Sequence, residues 1–269
     1  MNTQIPGDFF EILLSFDIEE FDMPLEYGKA LSFQEQIEIS TRGTKIILEI
    51  LEEYNIKATF FCTANFAQNR KDIIEKINVE GHEIASHGFY HSSFNDSDLL
   101  KSKKALEEIS QNPVVGFRMP RMMPVNLKAL NEAGYIYNSS LNPTFIPGRY
   151  NHFDKPRNYF LEENTLQIPS SVSPNIRFPL FWLSFHNIPF WILKLLCEQT
   201  ILKDHYLNLY FHPWEFTDLR NTKKLGMPWY VQNKSGKGME FQLRNLIIWG
   251  IKKNYKFTTI KEFVKRVFI

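Results

Sequence analysis

The chain has 269 residues, of which 43% are hydrophobic and 23% are charged, as in soluble globular proteins that bury a sizeable core. Its formal net charge of +1 gives no basic field of the kind that nucleic-acid binding needs, so nucleic acid is excluded as an expected partner. A membrane-spanning helix is excluded as well, because no uninterrupted apolar stretch reaches the roughly eighteen residues that a span requires.

Short apolar runs alternate with amphipathic runs along the chain. The apolar runs predict buried strands at residues 11–16, 58–63, 82–86, 114–118, 135–139, 166–169 and 206–211. Runs with apolar residues at helical spacing predict helices at residues 41–54, 71–79, 96–109 and 124–133. This alternation predicts an α/β fold around a parallel sheet, open or closed into a barrel. Because the chain shows neither an internal repeat nor a low-complexity linker, residues 1–269 are expected to form a single domain.

Two stretches outside these runs, residues 142–164 and 220–238, have little periodicity and are predicted to be long loops. Long loops within a compact α/β fold are often functional, and disorder is the alternative. Asp96 is predicted to cap the start of its helix, and Gly134 is predicted to follow the end of the last predicted helix.

Three features bear on location and oxidation state. Residues 1–8 lack the basic and apolar regions of a secretory signal, which favours a cytoplasmic protein. Cys62 and Cys197 lie in apolar runs without a CxxC pattern and are expected to be buried free thiols. Residues 178–196 are rich in Phe, Trp, Ile and Leu but are interrupted by prolines and polar residues. A buried helix pair is favoured there over a surface that faces a membrane or binds a lipid tail.

The first of four polar clusters is S-F-D-I-E-E-F-D at residues 15–22. It ends a predicted strand, and strand ends are where parallel α/β folds and barrels place their chemistry. The period of two puts Asp17 and Glu19 on one side of the strand and Ile18 on the other. An unpaired carboxylate at the end of a buried strand is costly, so a metal or a cationic partner is expected. A solvated loop is the alternative.

The second cluster is the pair His87 and His91, four positions apart and beside Gly88. Two imidazoles at this spacing can bind one ion, and zinc favours neutral imidazole. A pair alone is a weak signal, but an acidic strand end lies upstream and a further histidine lies downstream. His82, which lies nearby, is interpreted as a structural residue.

The third and fourth clusters are weaker when each is taken alone. Arg118 begins an R-x-P sequence that Arg121 follows, and a structural ion pair is as good an interpretation of Arg118 as a functional one. His212 ends a strongly β-forming run in the segment L-Y-F-H-P-W-E-F at residues 209–216. In isolation it is no better than a core histidine.

The order of the four clusters resembles that of the NodB-type polysaccharide deacetylases, a family of carbohydrate esterases. The sequences A-T-F-F at 58–61, G-H-E-I-A-S-H at 81–87 and A-G-Y at 133–135 also resemble that family. The ending Y-F-H-P-W-E at 210–215 looks like the subgroup associated with bacterial exopolysaccharide loci. The resemblance implies a distorted (β/α) barrel that holds one divalent metal ion, with zinc expected, and hydrolyses N-acetyl groups of amino sugars.

The resemblance also implies a ligand set and a base. Glu19, His87 and His91 would bind the metal. The family has two adjacent aspartates in its first motif, and the second position is Ile18 here, which cannot bind metal. Glu19 lies on the same strand side as Asp17 and would take that place, as in D-x-[DE] members of the family. Asp17 would then be the general base.

The remaining roles are implied in the same way. Arg118 would orient the catalytic aspartate, and His212 would protonate the leaving amine. Arg121 stands where the family often has tyrosine or serine, which would put a cation near the substrate; Arg121 and Trp214 are the expected substrate and oxyanion contacts.

A partner for His212 cannot be assigned from the sequence. The family's aspartate–tryptophan motif, whose aspartate tunes the acid histidine, is not recognisable between residues 142 and 174. Glu215 and Asp154 both remain candidates for its place.

The expected function is metal-dependent removal of N-acetyl groups from an amino sugar of a polysaccharide or of a lipid-linked glycan precursor. The missing export signal favours the lipid-linked substrate, met in the cytoplasm at the inner face of the membrane, with Trp182 and Trp191 facing the bilayer or the lipid tail. One alternative is an amidohydrolase or deformylase that acts on another small or lipid-linked amide. Another is a non-catalytic barrel that binds a glycan or a partner protein, which Ile18 and the missing tryptophan motif would support.

Overall fold

The computed structural model describes residues 10–220 and 223–268. Its strands are β1 (Glu11–Ile18), β2 (Thr59–Cys62), β3 (Glu83–Ser86), β4 (Gly116–Phe117), β5 (Tyr137–Asn138), β6 (Phe145–Ile146), β7 (Tyr150–Asn151), β8 (Phe160–Glu162), β9 (Thr165–Gln167), β10 (Tyr206–Phe211) and β11 (Lys256–Thr258). Its helices are α1 (Phe33–Glu53), α2 (Ala64–Asn69), α3 (Lys71–Val79), α4 (Ser97–Ser110), α5 (Leu127–Glu132), α6 (Trp182–Asn187), α7 (Phe190–Asp204), α8 (Trp229–Gln232), α9 (Lys237–Lys252) and α10 (Ile260–Val267). The predicted absence of a signal in residues 1–8 concerns a segment outside the described residues and stays a prediction.

One curled sheet organises the chain, in the order β10-β1-β2-β3-β4-β5-β9-β8 with β11 beside β1. Its strand pairs are parallel except β8 with β9. The chain beyond β9 returns to β10, where the Ser171 amide donates to the Asn208 carbonyl at 2.9 Å. The Asn208 side chain also donates to the carbonyls of Ile168 and Pro169 at 3.2 and 3.1 Å. These contacts bring the two sides of the sheet together, and the predicted distorted barrel is confirmed. The single-domain assignment for residues 1–269 stays a prediction.

The alternation of side chains along β1 separates two apolar cores. Ile12, Leu14 and Phe16 join the core between the sheet and the helices, whereas Leu13 faces the barrel interior. Interior positions of the other strands join Leu13 there, together with Ile260, Phe263 and Val264 of α10. Because α10 begins just after β11 and packs into this interior cluster, it closes the amino-terminal end of the barrel.

Helix α1 fixes the segment that follows β10. The helix begins at a capping box in which Ser32 accepts from the Glu35 amide and Glu35 accepts from the Ser32 amide, at 3.3 and 3.0 Å. Gly43 of α1 lies against the backbone of Pro213, so closely that a Cβ at position 43 would come within 1.7 Å of the Pro213 carbonyl oxygen. Only glycine allows this approach, which positions the turn beside His212.

The predicted strands and helices agree with the observed ones where the local sequence pattern is strong. The strands predicted at 11–16 and 206–211 and the helix predicted at 71–79 are confirmed. The helix predicted to begin at residue 41 begins at Phe33, because the capping box supports two further polar turns. Gly134 follows α5 with a φ of +79°, as predicted. Asp96 occupies the cap position of α4, but its side chain makes no capping hydrogen bond and accepts instead from Asn126 at 2.8 Å.

The two loop predictions are wrong in part. Residues 142–164 contain the antiparallel hairpin β6–β7 and strand β8, and residues 220–238 contain a short 3-10 turn and α8. These elements are two to four residues long, which is too short to produce a detectable period.

The helix pair predicted within residues 178–196 is present as α6 and the start of α7. Its predicted burial is confirmed for α6 and wrong for the start of α7, where only Leu193 of residues 190–196 is buried. Cys62 and Cys197 are buried free thiols, as predicted. Trp182 is buried, so the prediction that it faces a bilayer is wrong, whereas Trp191 is exposed. Among the described residues, no helix combines the length and the apolar character that crossing a bilayer requires.

Candidate active site

Three predicted metal ligands converge at the carboxyl ends of β1 and β3. Glu19 follows β1 directly and His87 follows β3 directly. The Oε2 atom of Glu19 lies 3.3 Å from His87 Nε2 and 2.9 Å from His91 Nε2. The three side chains are no more than 8% exposed. Their ligand atoms all lie within 4.8 Å of one another, so the sequence prediction that these residues share one point in space is confirmed.

The second nitrogen of each ring has a partner that determines where the ring carries its proton. His87 Nδ1 donates to the Arg118 carbonyl at 2.9 Å, and His91 Nδ1 donates to Asp22 Oδ1 at 2.6 Å. A neutral imidazole with its proton on Nδ1 presents a lone pair at Nε2. Both lone pairs therefore point at the Glu19 carboxylate, which has no proton to give.

This arrangement fits a divalent cation. Glu19 Oε2 is buried and makes no hydrogen bond of acceptable geometry with any described residue. Burial lowers the pKa of His91, but the carboxylates of Glu19 and Asp22 outweigh burial and raise it to about 10. The site therefore attracts positive charge strongly, either a proton on His91 or a cation between the three ligands. Two imidazoles and one carboxylate are also a donor set that zinc takes in catalytic sites with an open position.

Asp22 is a functional residue that the sequence analysis did not assign. It is buried and accepts from His91 Nδ1 and from Arg121 Nη2, at 2.6 and 3.0 Å. Carboxylates in this position orient a ligating histidine and increase its basicity. The sequence feature that could have indicated this role is the position of Asp22 at the end of the first polar cluster, residues 15–22.

Arg118 holds Asp17 in one orientation. Its Nη1 lies 2.6 Å from Asp17 Oδ1, and its Nε and Nη2 donate to the carbonyl and the hydroxyl of Ser139, both at 3.0 Å. The guanidinium is fully buried and lies 4.0 Å from the centroid of the Phe61 ring. Since Oδ1 is engaged, the second oxygen of Asp17 faces the site, 3.9 Å from His212 Nε2.

Glu215 is the partner of His212, and this decides between the two candidates. His212 Nδ1 lies 2.9 Å from Glu215 Oε1, which also accepts from the His212 amide at 2.5 Å. Glu215 is fully buried, and its second oxygen lies 3.1 Å from His186 Nε2. Asp154 is exposed. With Nδ1 bound to Glu215, the Nε2 of His212 points into the site.

The charges around His212 favour its protonated form. Burial lowers the pKa of the ring, but the hydrogen bond to Glu215 and the charges of Glu19, Glu215 and Asp17 outweigh burial and raise the pKa above its ordinary value. A histidine whose protonated form is stabilised in this way is suited to donate a proton.

Two tryptophans, Trp214 and Trp182, contact the His212 ring. Only Trp214 was predicted to lie at the site, and its position there differs from the predicted one. Trp214 stacks on the ring with centroids 5.3 Å apart, and Trp182 meets it edge-on at 5.4 Å. Trp214 is fully buried and lines no part of the cavity, so its predicted contact with substrate is wrong: it packs behind His212. Trp182 lines the cavity instead. No local signal in the sequence pointed to that position.

The site opens into a cavity of about 40 Å³. The cavity brings together six of the predicted site residues with groups that the prediction missed. Its lining is Asp17, Glu19, Met23, Glu26, His87, His91, Arg121, Met122, Arg149, Trp182, Tyr210 and His212. Arg121 thus lies at the site, as predicted, while a backbone oxyanion contact near it stays a prediction.

The segment that carries the histidine pair also matches a known family. A family model described as polysaccharide deacetylase matches residues 21–135. Over this stretch the chain is similar to the NodB-type polysaccharide deacetylases, in agreement with the resemblance of its motifs. The matched stretch holds the two histidines and Arg118, and it does not reach the predicted carboxylate ligand, base or acid, whose assignment depends on the geometry above. Membership of the exopolysaccharide-locus subgroup stays a prediction.

Individual relatives match over parts of their length. A peptidoglycan-N-acetylglucosamine deacetylase of Bacillus cereus is 31% identical over 101 residues, covering 34% of this chain and 47% of that protein. A peptidoglycan-N-acetylmuramic acid deacetylase of Bacillus subtilis is 25% identical over 68 residues, covering 25% of this chain and 26% of that protein. The chain therefore spans about a quarter to a half of the length of these curated relatives.

A solved structure matches along almost the whole chain. A Mycobacterium smegmatis protein assigned to the polysaccharide deacetylases has a TM-score of 0.66 at 19% identity, covering 98% of this chain and 92% of that chain. At this identity the likeness shows a shared fold, in agreement with the predicted distorted barrel.

Proposed function

We propose that the protein is a metal-dependent hydrolase that removes N-acetyl groups from an amino sugar of a polysaccharide or of a lipid-linked glycan precursor. The observation that carries this proposal is the placement of three kinds of group on one cavity. They are a buried ligand triad, a carboxylate fixed by an arginine and a histidine fixed by a glutamate. Metal-assisted hydrolysis of an amide uses a cation, a base and an acid, and these groups can supply the three functions.

Glu19, His87 and His91 would hold the cation, which we propose to be zinc. When bound, a divalent cation at this place supplies positive charge that polarises an amide carbonyl and lowers the pKa of water. Asp22 and the Arg118 carbonyl keep the two rings turned toward the cation through their Nδ1 hydrogen bonds.

Asp17 would accept a proton from the attacking water. Its Oδ1 is occupied by Arg118, so Oδ2 is the oxygen that remains for this proton. The fully buried ion pair keeps Asp17 in one rotamer, and truncating either partner would leave an unpaired buried charge.

His212 would donate a proton to the nitrogen that leaves. An amine anion is a very poor leaving group, so C–N cleavage depends on this donation. The raised pKa of His212 extends the pH range in which the donor carries its proton, and the two tryptophans hold its ring in place.

The names of the relatives support an N-acetylated glycan as substrate. Lipid linkage and contact with the inner face of a membrane are part of this proposal; the exposed apolar side chains of α7, Trp191, Leu195 and Leu202, are available for such a contact, at 65, 54 and 55% exposure. A cytoplasmic location stays a prediction.

The non-catalytic alternative is not favoured by the geometry. A binding barrel has no need for a buried Asp17–Arg118 pair directed at a cavity or for a second buried pair that raises the pKa of His212. Such groups cost free energy to bury, and their shared orientation toward the ligand triad is explained by catalysis.

The proposal is tested by acetate release from an N-acetylated oligosaccharide panel. The purified protein is assayed as isolated, after exhaustive chelation and after zinc is restored. We expect release that chelation abolishes and zinc restores, with about one metal ion per chain by elemental analysis. Release that survives complete removal of metal would overturn the metal-dependent mechanism, and a metal-loaded protein inactive on every glycan would overturn the deacetylase assignment.

A further inference from the structure

Three charged side chains from separate segments meet at the rim of the cavity. Glu26 belongs to a 3-10 turn at Met23–Tyr27, Arg121 to another at Pro120–Met122, and Arg149 to the turn between β6 and β7. The Glu26 carboxylate contacts Arg121 Nη1 with one oxygen and lies 3.4 Å from Arg149 Nη2 with the other. Two guanidinium groups therefore converge on one carboxylate above the ligand triad.

Arg121 is oriented independently of Glu26. Its backbone has a φ of +58°, and that of Met122 is +54°, a left-handed conformation that is uncommon outside glycine and concentrates at functional sites. Its Nη2 donates to the buried Asp22 at 3.0 Å. Because Asp22 holds one edge of the guanidinium, the other edge stays directed at the rim when Glu26 moves away.

Glu26 is easily displaced from this position. Its side chain is 28% exposed, and that of Arg149 is 46% exposed. Ion pairs at this degree of exposure contribute little net stability. A planar or tetrahedral anion between two arginines is, in contrast, a favoured recognition geometry, since each guanidinium can donate two parallel hydrogen bonds.

The size of the cavity places the rest of a substrate at this rim. A volume of about 40 Å³ holds roughly three water molecules, which is close to the bulk of an acyl group and much smaller than a sugar. With the acyl group beside the ligand triad, the sugar ring and its substituents would extend toward Glu26, Arg121 and Arg149, which line the same cavity as the triad.

We propose that Arg121 and Arg149 form an anion subsite that binds a carboxylate or phosphate group carried by the N-acylated sugar, and that Glu26 occupies this subsite in the absence of substrate. The inference rests on the proposed function and specifies its substrate class. The substrate is an acidic amino-sugar derivative, and the anionic group lies close to the amide that is cleaved.

The test compares matched substrates in the zinc-loaded, full-length protein. The neutral substrate is an N-acetylglucosamine oligosaccharide. Its acidic counterparts of equal length carry either a lactyl ether carboxylate or a sugar phosphate, so that the two sources of negative charge are separated. We expect kcat/KM to be at least about 10-fold higher on one acidic substrate, through a lower KM, and the advantage to shrink as salt is raised.

Variants identify the residues responsible. Arg149→Ala should reduce the ratio of acidic to neutral kcat/KM by about 10-fold, whereas Glu26→Gln, which removes the competing charge, should increase it. Lys128→Ala is the matched control, because Lys128 is 81% exposed on α5 and should leave the ratio unchanged. A ratio near one in the wild type, or an unchanged ratio in Arg149→Ala, would overturn the subsite.

Calorimetric binding of the same oligosaccharides separates this inference from the proposed function. If no substrate is hydrolysed but the acidic ligand binds at least about 10-fold more tightly than the neutral one and Arg149→Ala removes the difference, the subsite stands and the hydrolase proposal fails. If deacetylation is efficient and the acidic and neutral ligands bind with equal affinity, the hydrolase proposal is supported and the anion subsite is ruled out.

Discussion

The two ends of the barrel each bury a glutamate, and the two carboxylates have opposite surroundings. At the amino-terminal end, Glu83 accepts from the Tyr137 and Thr59 hydroxyls, both at 2.7 Å, and from the Lys261 amide at 2.9 Å. At the carboxyl-terminal end, Glu19 Oε2 lies 3.3 and 2.9 Å from the Nε2 atoms of His87 and His91 and makes no hydrogen bond with the described residues.

The pKa shifts of the two carboxyls follow from these surroundings. Burial raises the pKa of Glu83, and its hydrogen bonds offset only part of that effect. Burial acts on Glu19 in the same direction, but His91, His87 and His212 outweigh it and hold the pKa of Glu19 well below the ordinary value. A buried carboxylate with neutral donors therefore ties α10 to the barrel, whereas one among imidazoles marks a place for a cation.

The strongest way to break this comparison is to make the same substitution at both ends. Glu19→Gln should abolish stoichiometric zinc and with it acetate release, because an amide offers a much weaker ligand than a carboxylate. Glu83→Gln should keep about one zinc per chain and lose stability, since the amide replaces one acceptor with a donor. Elemental analysis and thermal unfolding of both variants check this; loss of zinc in both would show that the ends are not distinct.

The next largest effect is expected at the proposed acid. His212→Ala should reduce kcat by about 10²–10⁴-fold while zinc remains bound, because general acid catalysis contributes a factor of that size. Steady-state kinetics on the preferred glycan, with metal content measured in parallel, provide the check. A rate within a few-fold of the wild type would remove His212 from the mechanism.

A smaller effect is expected from the carboxylate behind His91. Asp22→Asn should weaken zinc binding by about 10–100-fold, the usual cost of losing such a partner, without abolishing it. Competition with a chromophoric chelator measures this affinity. An unchanged affinity would show that the Asp22–His91 hydrogen bond does not orient the ligand.

The smallest predicted effect is a shift along the pH axis. His212 must be protonated to act, and its raised pKa places the loss of kcat/KM on the alkaline side of the ordinary histidine value. Activity should fall as pH rises through that pKa. Glu215→Gln removes a neighbouring negative charge, so this alkaline limb should move to lower pH. Asp154→Asn is the control, because the exposed Asp154 should leave the profile unchanged.

The parts of the site that were predictable from the sequence are those set by local periodicity. Strand period two separates Asp17 and Glu19 from Ile18, and the structure places Ile18 in the core between sheet and helices. The ligand histidines were predictable because four-residue spacing and a strand end occur within a single segment.

The parts that were missed depend on contacts between distant segments. Glu215 could not be preferred over Asp154 until the turn after β10 was placed, and Trp182 reaches His212 across a sequence separation that no periodic pattern encodes. Arg149 lies in a stretch predicted to be a loop, and its role follows only from the hairpin that carries it to Glu26. Short elements such as this hairpin are decided by tertiary packing rather than by propensity.

The close approach of Gly43 to Pro213 has a wider consequence. Helix α1 lies in the outer layer of the molecule and contributes no side chain to the cavity. It nevertheless fixes the position of the turn that carries His212, through the contact of Gly43 with Pro213. Any enlargement of residue 43 would push that turn inward and misdirect the imidazole. Gly43 therefore cannot be replaced without moving this turn, although it lies far from the reacting groups. The orientation of the His212 ring depends on the packing of an outer helix.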